Sequence, residues 1–396
     1  MTAGKKTLKG ERLSSWRERV ESLGLDPEHD AVNYPIVRST HRLEEFKRWY
    51  NAPPHPTPKK SDLTAARVAK LPDALMRRHV VRHVLTGESV IEDPKVIKAL
   101  EERVKTFHTF VQSAADITVT ASNPLVINFS SIVLYGTVTV RDGGYIRITA
   151  DCNFQCGALN NVSGAPNMIQ VLGVNGQDGQ AGDPGQWGYT GLSGVDARCD
   201  CCGGRVAAGP TSGVVGSNGS VGGAAKTVGG PGRSAPTVVF SVTDNLPRPI
   251  QFLNQGGDGG RGGDGGAGGQ GGRGGNGGDG VQCGAMFCPG ANGSRGGNGG
   301  NGGNASDGGE GGTGGRLSIN VPAAQISNVS VTLGLAPGGP RGTGGLLGRG
   351  GPGGAGGRYR GQTGPAGRPG DTNGNPGQPG KPGKKGSAIL NGRPTG

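Results

Sequence analysis

Histidine, aromatic residues and long apolar runs are scarce in this sequence. Only 4% of its 396 residues are aromatic and 32% hydrophobic, too little to fill two or three conventional cores. The six histidines, His29, His41, His55, His79, His83 and His108, all precede residue 113. The rest of the chain has no imidazole for acid–base work or metal binding. No stretch approaches the roughly 18 apolar residues of a membrane span. The basic start, Met1 to Gly24, is followed by no apolar run, so no secretory signal peptide is expected and synthesis belongs in the cytoplasm. Lys and Arg number 41 against 29 Asp and Glu, a formal charge of +12. They form no dense basic tract, which argues against a specific nucleic-acid partner. There is no nucleophile motif, phosphate loop or paired-carboxylate signature, and GxGxxG matches merely follow from the repeats. The expectation is a non-enzymatic protein.

What is abundant is glycine, with 84 residues, and proline, with 27. Such a composition ordinarily means disorder, but here the glycines keep register. From Gly173 to Gly194 every third residue is glycine, and from Gly256 to Gly280 the pattern tightens to GGX. The side chains left in that second run are Asp258, Arg261, Asp264, Ala267, Gln270, Arg273, Asn276 and Asp279. Gly296 to Gly315 repeats it, and Gly361 to Gly386 returns to single-glycine triplets rich in proline. A period of three matches the polyproline-II helix, whose bare glycine faces let neighbours bond backbone to backbone. Straight, the run from Gly256 to Gly280 would span roughly 75 Å, so it is expected to fold back in shorter lengths.

The expected fold class is mixed: N-terminal helices, a short β-strand platform, and a C-terminal bundle of glycine-rich polyproline-II/polyglycine-II helices. Residues 1–112 read as a helical docking or oligomerisation module with a proline-rich linker at 51–60. Leu43, Phe46 and Tyr50 mark one helix and Leu63 to Val84 a second. A third begins after Asp93-Pro94 and shows Ile97, Leu100, Val104, Phe107 and Val111 on one face. These pieces look too thin for a large core and suit packing on a fibre or on sister chains. Residues 113–172 carry β-branched runs at 117–119, 125–129, 132–140 and 145–149. Residues 173–396 form the glycine-rich part, with strand pairs at 237–253 and 317–335.

The run from Gly256 to Gly280, broken afterwards by CGAMFCPG, resembles the polyglycine-II bundle proteins. Nearest in style are phage tail-fibre tip adhesins, followed by snow-flea-type antifreeze proteins and mycobacterial glycine-rich surface domains. The likeness covers about residues 173–396. It implies a receptor-binding tip or spike that meets a cell-surface glycan or protein, assembled as a homo-oligomer through residues 1–112. A virion or particle tip, or the cell surface, is then the expected location, with the cytoplasm as the alternative. Asp, Arg, Asn and Gln at the decorated positions argue against ice binding. A collagen-like structural protein, from GPAGRPG and GQPGKPGKKG, and an intracellular Cys-ligated metalloprotein or enzyme-complex subunit are the competing readings.

Seven cysteines fall in three groups: Cys152 and Cys156; Cys199, Cys201 and Cys202; Cys283 and Cys288. They sit at strand–glycine junctions or interruptions, where disulfides would restrain the chain. Ligation of zinc or iron and plain reduced thiols stay open beside that. No cofactor is otherwise expected. Trp187, Tyr189 and the Arg358-Tyr359-Arg360 break are surface-recognition candidates, because aromatics there could stack on sugar rings or cap an edge. His79 and His83, one helical turn apart, read either as a metal pair or as part of a solvated basic face.

Overall fold

The computed structural model describes residues 15–27, 35–52, 55, 57–162, 168–200 and 205–395. Cys201, Cys202 and part of the proline-rich linker lie outside the described residues. Five helices come first: α1 (Trp16–Ser22), α2 (Leu43–Tyr50), α3 (Ala65–Lys70), α4 (Asp73–Val84) and α5 (Pro94–Val104). Short strands β1 (Ile36–Thr40), β2 (Lys59–Lys60) and β3 (Ser89–Val90) thread between them. Local chemistry sets several boundaries. A capping box between Ser15 and Glu18 opens α1, and Asp93 with Pro94 opens α5. The stretch expected as one helix from 63 to 84 is two, split at Leu71-Pro72, because proline disfavours helical backbone in the residue before it.

From Phe107 the chain winds in rungs, each giving one strand to each of two facing sheets. The first rungs are β4 (Phe107–Val119) with β5 (Leu125–Ile127), β6 (Ser131–Val140) with β7 (Ile146–Ile148), and β8 (Cys152–Asn161) with β9 (Ile169–Leu172). Phe110 pairs with Ser131, and Ser131 with Cys152, a step of 21 residues each time. Later rungs keep the pairing but leave the stack between strands. The hairpin β10 (Arg198–Cys199) and β11 (Val206–Ala208) lies on the first excursion, before β12 (Thr237–Asn245) and β13 (Ile250–Gln255). The hairpin β14 (Val281–Cys283) and β15 (Met286–Cys288) lies on the second, before β16 (Arg316–Asn320) and β17 (Val329–Leu333). A third ends at β18 (Ser387–Leu390), which turns into β19 (Arg393–Thr395).

The large sheet has eight strands in the order β1-β4-β6-β8-β12-β16-β18-β19; its interior pairs are parallel and both end pairs antiparallel. The facing sheet, β17-β13-β9-β7-β5, is parallel throughout. Between them lies the main core, where Tyr135, Phe154, Phe240 and Phe252 form an aromatic chain; Phe154 and Phe240 stack at 4.4 Å. The other face of the large sheet is covered by helices. Ile132 and Leu134 of β6 and Phe107 and Val111 of β4 join Val20, Leu43, Val80 and Leu100 in a second core. The apolar helix faces expected to meet a fibre or sister chain are thus spent on the protein's own sheet. Phe107 and Val111, expected on α5, belong to β4.

The expected fold class is corrected. The strands are not a short platform: the eight-stranded mixed sheet draws on residues from 36 to 395, including the first strand of each pair expected at 237–253 and 317–335, and organises the chain. Among the described residues there is no separate C-terminal bundle of polyproline-II/polyglycine-II helices; each glycine-rich stretch connects a strand of the facing sheet, β9, β13 or β17, to the next strand of the large sheet, β12, β16 or β18. The reason is burial. β-Branched and aromatic strands supply the apolar surface removed from water, which glycine cannot.

Six extended segments make the three excursions: 173–197 out and 209–236 back, 256–280 out and 289–315 back, 334–357 out and 361–386 back. Outgoing segments bond in parallel, as Gly176 N–H to Asp258 O at 2.8 Å and Gly259 N–H to Pro337 O at 3.0 Å. Returning segments do likewise, as Gly219 N–H to Asn298 O at 2.8 Å. Antiparallel bonds join the two layers, as Gly300 N–H to Gly269 O at 2.8 Å. Segments 256–280 and 289–315 each have four neighbours, so two positions in three must be bare; a Cβ on Gly300 would lie 1.9 Å from Ser220 O. The 256–280 segment does not fold back in shorter lengths. It stays in register with its neighbour from Gly257 to Gly278.

Candidate recognition site at the tip of the glycine segments

The three excursions run side by side, so their turns meet at one end. Cys199 of the first is joined to Cys283 of the second by a disulfide, with the Cα atoms 5.7 Å apart. The third turn, Arg358-Tyr359-Arg360, lies against the second hairpin. The Tyr359 ring meets Phe287 edge-on at 5.6 Å, and the Arg360 guanidinium sits 5.6 Å from the centre of the Phe287 ring. Arg358 Nε is 3.5 Å from Asp279 Oδ2, while its N–H donates to Asp279 Oδ1 at 2.8 Å. Tyr359 O accepts from Gly290 N–H at 2.8 Å. The turn is therefore tied to both arms of the second excursion.

Two consecutive residues of this turn have left-handed backbone, Tyr359 at φ 62° and Arg360 at φ 75°. Glycine takes that conformation freely, whereas other residues pay about 1–2 kcal/mol each. An aromatic and a guanidinium are held where glycine would close the turn more cheaply. Tyr359 is 51% exposed and Phe287 45%, with exposed Met286 beside them. The result is a solvent-facing aromatic and cationic cluster on a braced support.

Trp187 and Tyr189 are 72% and 82% exposed, but they do not join the tip. They lie on the first outgoing segment, roughly 30 Å short of its hairpin. Cys152 and Cys156 are not at a junction: both are buried in β8 and unpaired. Burial pushes the Cys152 thiol up to about 12 and that of Cys156 higher still. Cys288 is a half-buried free thiol. Among the described residues no group of three or more His, Cys, Asp or Glu could hold a metal ion.

His83 is not on a solvated face. It is buried, its Nδ1 accepts from Ile91 N–H at 3.2 Å, and burial holds its pKa below the ordinary value. Among the described residues no helix is long and apolar enough to cross a membrane. Sequence reasoning missed Phe287 and Met286 as tip residues. The available signal was a large apolar pair inside the CGAMFCPG interruption.

The decorated positions Asp and Asn prove to be structural. Asp178 Oδ1 accepts from Arg261 N–H at 2.8 Å, Asp264 Oδ1 from Thr343 N–H at 2.7 Å and Asn298 Oδ1 from Arg368 N–H at 3.0 Å. Each satisfies an outward N–H that the glycine bonding leaves over. The bond from Thr343 is the leading reason why the Asp264 carboxyl stays below the ordinary range.

Fold and site define a class: a stacked-rung β protein that carries an aromatic, cationic tip on glycine-rich excursions. No family model and no curated protein matches the chain. Among solved structures there is similarity to a nine polyproline type II helical bundle springtail antifreeze protein from Granisotoma rainieri. Identity is 23%, over 52% of this chain and 93% of that one, and the TM-score of 0.10 carries no argument.

Proposed function

We propose that this chain is a non-enzymatic recognition protein whose glycine segments hold a contact tip away from the sheet and helices. The observation that carries this is the convergence of Phe287, Tyr359 and Arg360 at the far end of the excursions, in a turn with two left-handed non-glycine residues. Exposed aromatics and arginine are the groups that dominate protein contact sites. The order of helices, sheet and glycine segments fits a receptor-binding tip of a phage or phage-like particle. The ligand is then a cell-surface glycan or protein. Docking to a particle or sister chain would use the outer faces of the helical layer, since the inner ones are occupied.

The collagen-like reading is less well supported, because residues 361–386 bond to segments 289–315 and 334–357 of the same chain. The test is binding of the labelled protein to a panel of intact bacterial cells, comparing wild type with Phe287→Ser/Tyr359→Ser. Selective binding that the double variant loses supports the reading. Equal binding by both proteins, or binding to none of the cells, overturns it.

A further inference from the structure

The layer formed by the three outgoing segments has an open face on which residues stand in ranks. Hydrogen bonds fix the ranks: Gly185 N–H to Ala267 O and Gly268 N–H to Leu346 O align Pro184, Ala267 and Leu346. Gly188 N–H to Gln270 O and Gly271 N–H to Arg349 O align Trp187, Gln270 and Arg349. Ranks repeat at roughly 9 Å along the segment. Some outward N–H groups of the face are capped by side chains: Asp258, Arg261 and Asp279 donate to Asn175, Asp178 and Asp196, and Ala355 donates to Asn276, whereas those of Asp264, Arg273 and Asn276 are not capped.

The two middle ranks lack such caps. Neither Pro184 nor Trp187 can accept for the N–H of Ala267 or Gln270, and those of Leu346 and Arg349 are likewise unbonded among the described residues. The side chains of Gln270 and Arg349 are exposed and uncommitted as well. Beside the most exposed indole among the described residues, Arg349 is thus the one charged residue of the two ranks, flanked by the Gln270 amide and by N–H groups of Ala267, Gln270, Leu346 and Arg349 that no protein group accepts from.

We infer that this mid-segment patch is a binding site for an acidic saccharide. A pyranose ring offers an apolar face to stack on Trp187, and its carboxylate suits Arg349 and the free backbone donors, which bind anionic oxygens best when charge-assisted. Arg349 is the only charged residue in the two ranks, so uronic acid chains are favoured over neutral ones. The site lies roughly 30 Å from the tip and shares no residue with it, so either can fail alone.

Trp16 and Trp49 are partly buried in the helical layer, which makes indole fluorescence a local probe of Trp187. The experiment titrates full-length protein with oligogalacturonate and, separately, with dextran oligomers of equal length. Oligogalacturonate is expected to shift and quench the emission saturably, with at least about tenfold weaker response to dextran, about 1.4 kcal/mol. Arg349→Gln should weaken oligogalacturonate binding by a similar factor, and Trp187→Phe should abolish the optical signal while retaining part of the affinity by calorimetry. Phe287→Ser/Tyr359→Ser should leave the titration unchanged. Equal response to both oligomers, no saturable change with oligogalacturonate, or unaltered affinity in Arg349→Gln overturns the assignment.

Discussion

Replacing Gly300 by alanine places one methyl group at the centre of the glycine layers. Its Cβ would sit 1.9 Å from Ser220 O and 2.5 Å from Ser220 C, about 1.5 Å short of an ordinary contact. The neighbour is backbone, held in register on both sides, so the segments must part. Gly219 N–H to Asn298 O at 2.8 Å and Gly222 N–H to Asn301 O at 2.9 Å, which join these two segments, are the bonds that stretch. Each buried group left unpaired costs about 1–3 kcal/mol, so the substitution should destabilise by about 2–6 kcal/mol. A smaller opposing gain of about 0.4–1 kcal/mol comes from stiffening the unfolded chain. Gly209→Ala is the control, because a Cβ there meets nothing within 4 Å, leaving only that gain. Thermal unfolding followed by calorimetry should show Gly300→Ala melting well below wild type and Gly209→Ala at or slightly above it. Indistinguishable melting of the two variants would refute close backbone packing as the reason for glycine.

Asn254 is fully buried; its amide donates to Gly315 O at 2.8 Å and its oxygen accepts from Gly315 N–H at 2.8 Å, where the second excursion rejoins the sheet. Asn254→Leu should cost about 2–6 kcal/mol through the two orphaned groups, read as a lower denaturant midpoint. Burial raises the Asp151 carboxyl above the ordinary range, although Thr237 N–H donates to it at 2.9 Å. With the folded pKa above the unfolded one, its contribution is full below about pH 4 and lost as pH rises through the folded value. Asp151→Asn should therefore raise the melting temperature at pH 7 and leave it unchanged near pH 3.5; a loss of equal size at both pH values would contradict this. In native protein at pH 8, iodoacetamide with peptide mapping should label Cys288 and spare Cys152 and Cys156 until unfolding.

Legibility varied with how local the cause was. The run 132–140 reads as a strand because its β-branched residues serve both cores. β8, CNFQCGALNN, does not, since Asn153 and Gln155 look like loop residues; they face the helical layer, where Asn153 donates to Tyr50 O. Phe107 and Val111 continue the helical spacing of Ile97, Leu100 and Val104, yet a spacing of four also fits one face of a strand. The helix stops at Lys105, whose φ of 61° has no glycine to announce it.

Three-residue periodicity in glycine records the spacing of backbone bonds between segments, but is silent on what the segments connect. The sheet was missed as organiser because its later pairs are distant: Val238 pairs with Cys152 and Leu317 with Ala388 across whole excursions. The breaks at Cys199, Cys283 and Tyr359 were visible. Their meeting at one tip follows from matching excursion lengths, which no local pattern states.

The most direct measurement of the central claim is cell binding by labelled wild type and by Phe287→Ser/Tyr359→Ser, with melting curves recorded for both. The account predicts selective binding that falls by at least about tenfold in the double variant while the melting temperatures agree. Undiminished binding by the double variant, at matched stability, would contradict it.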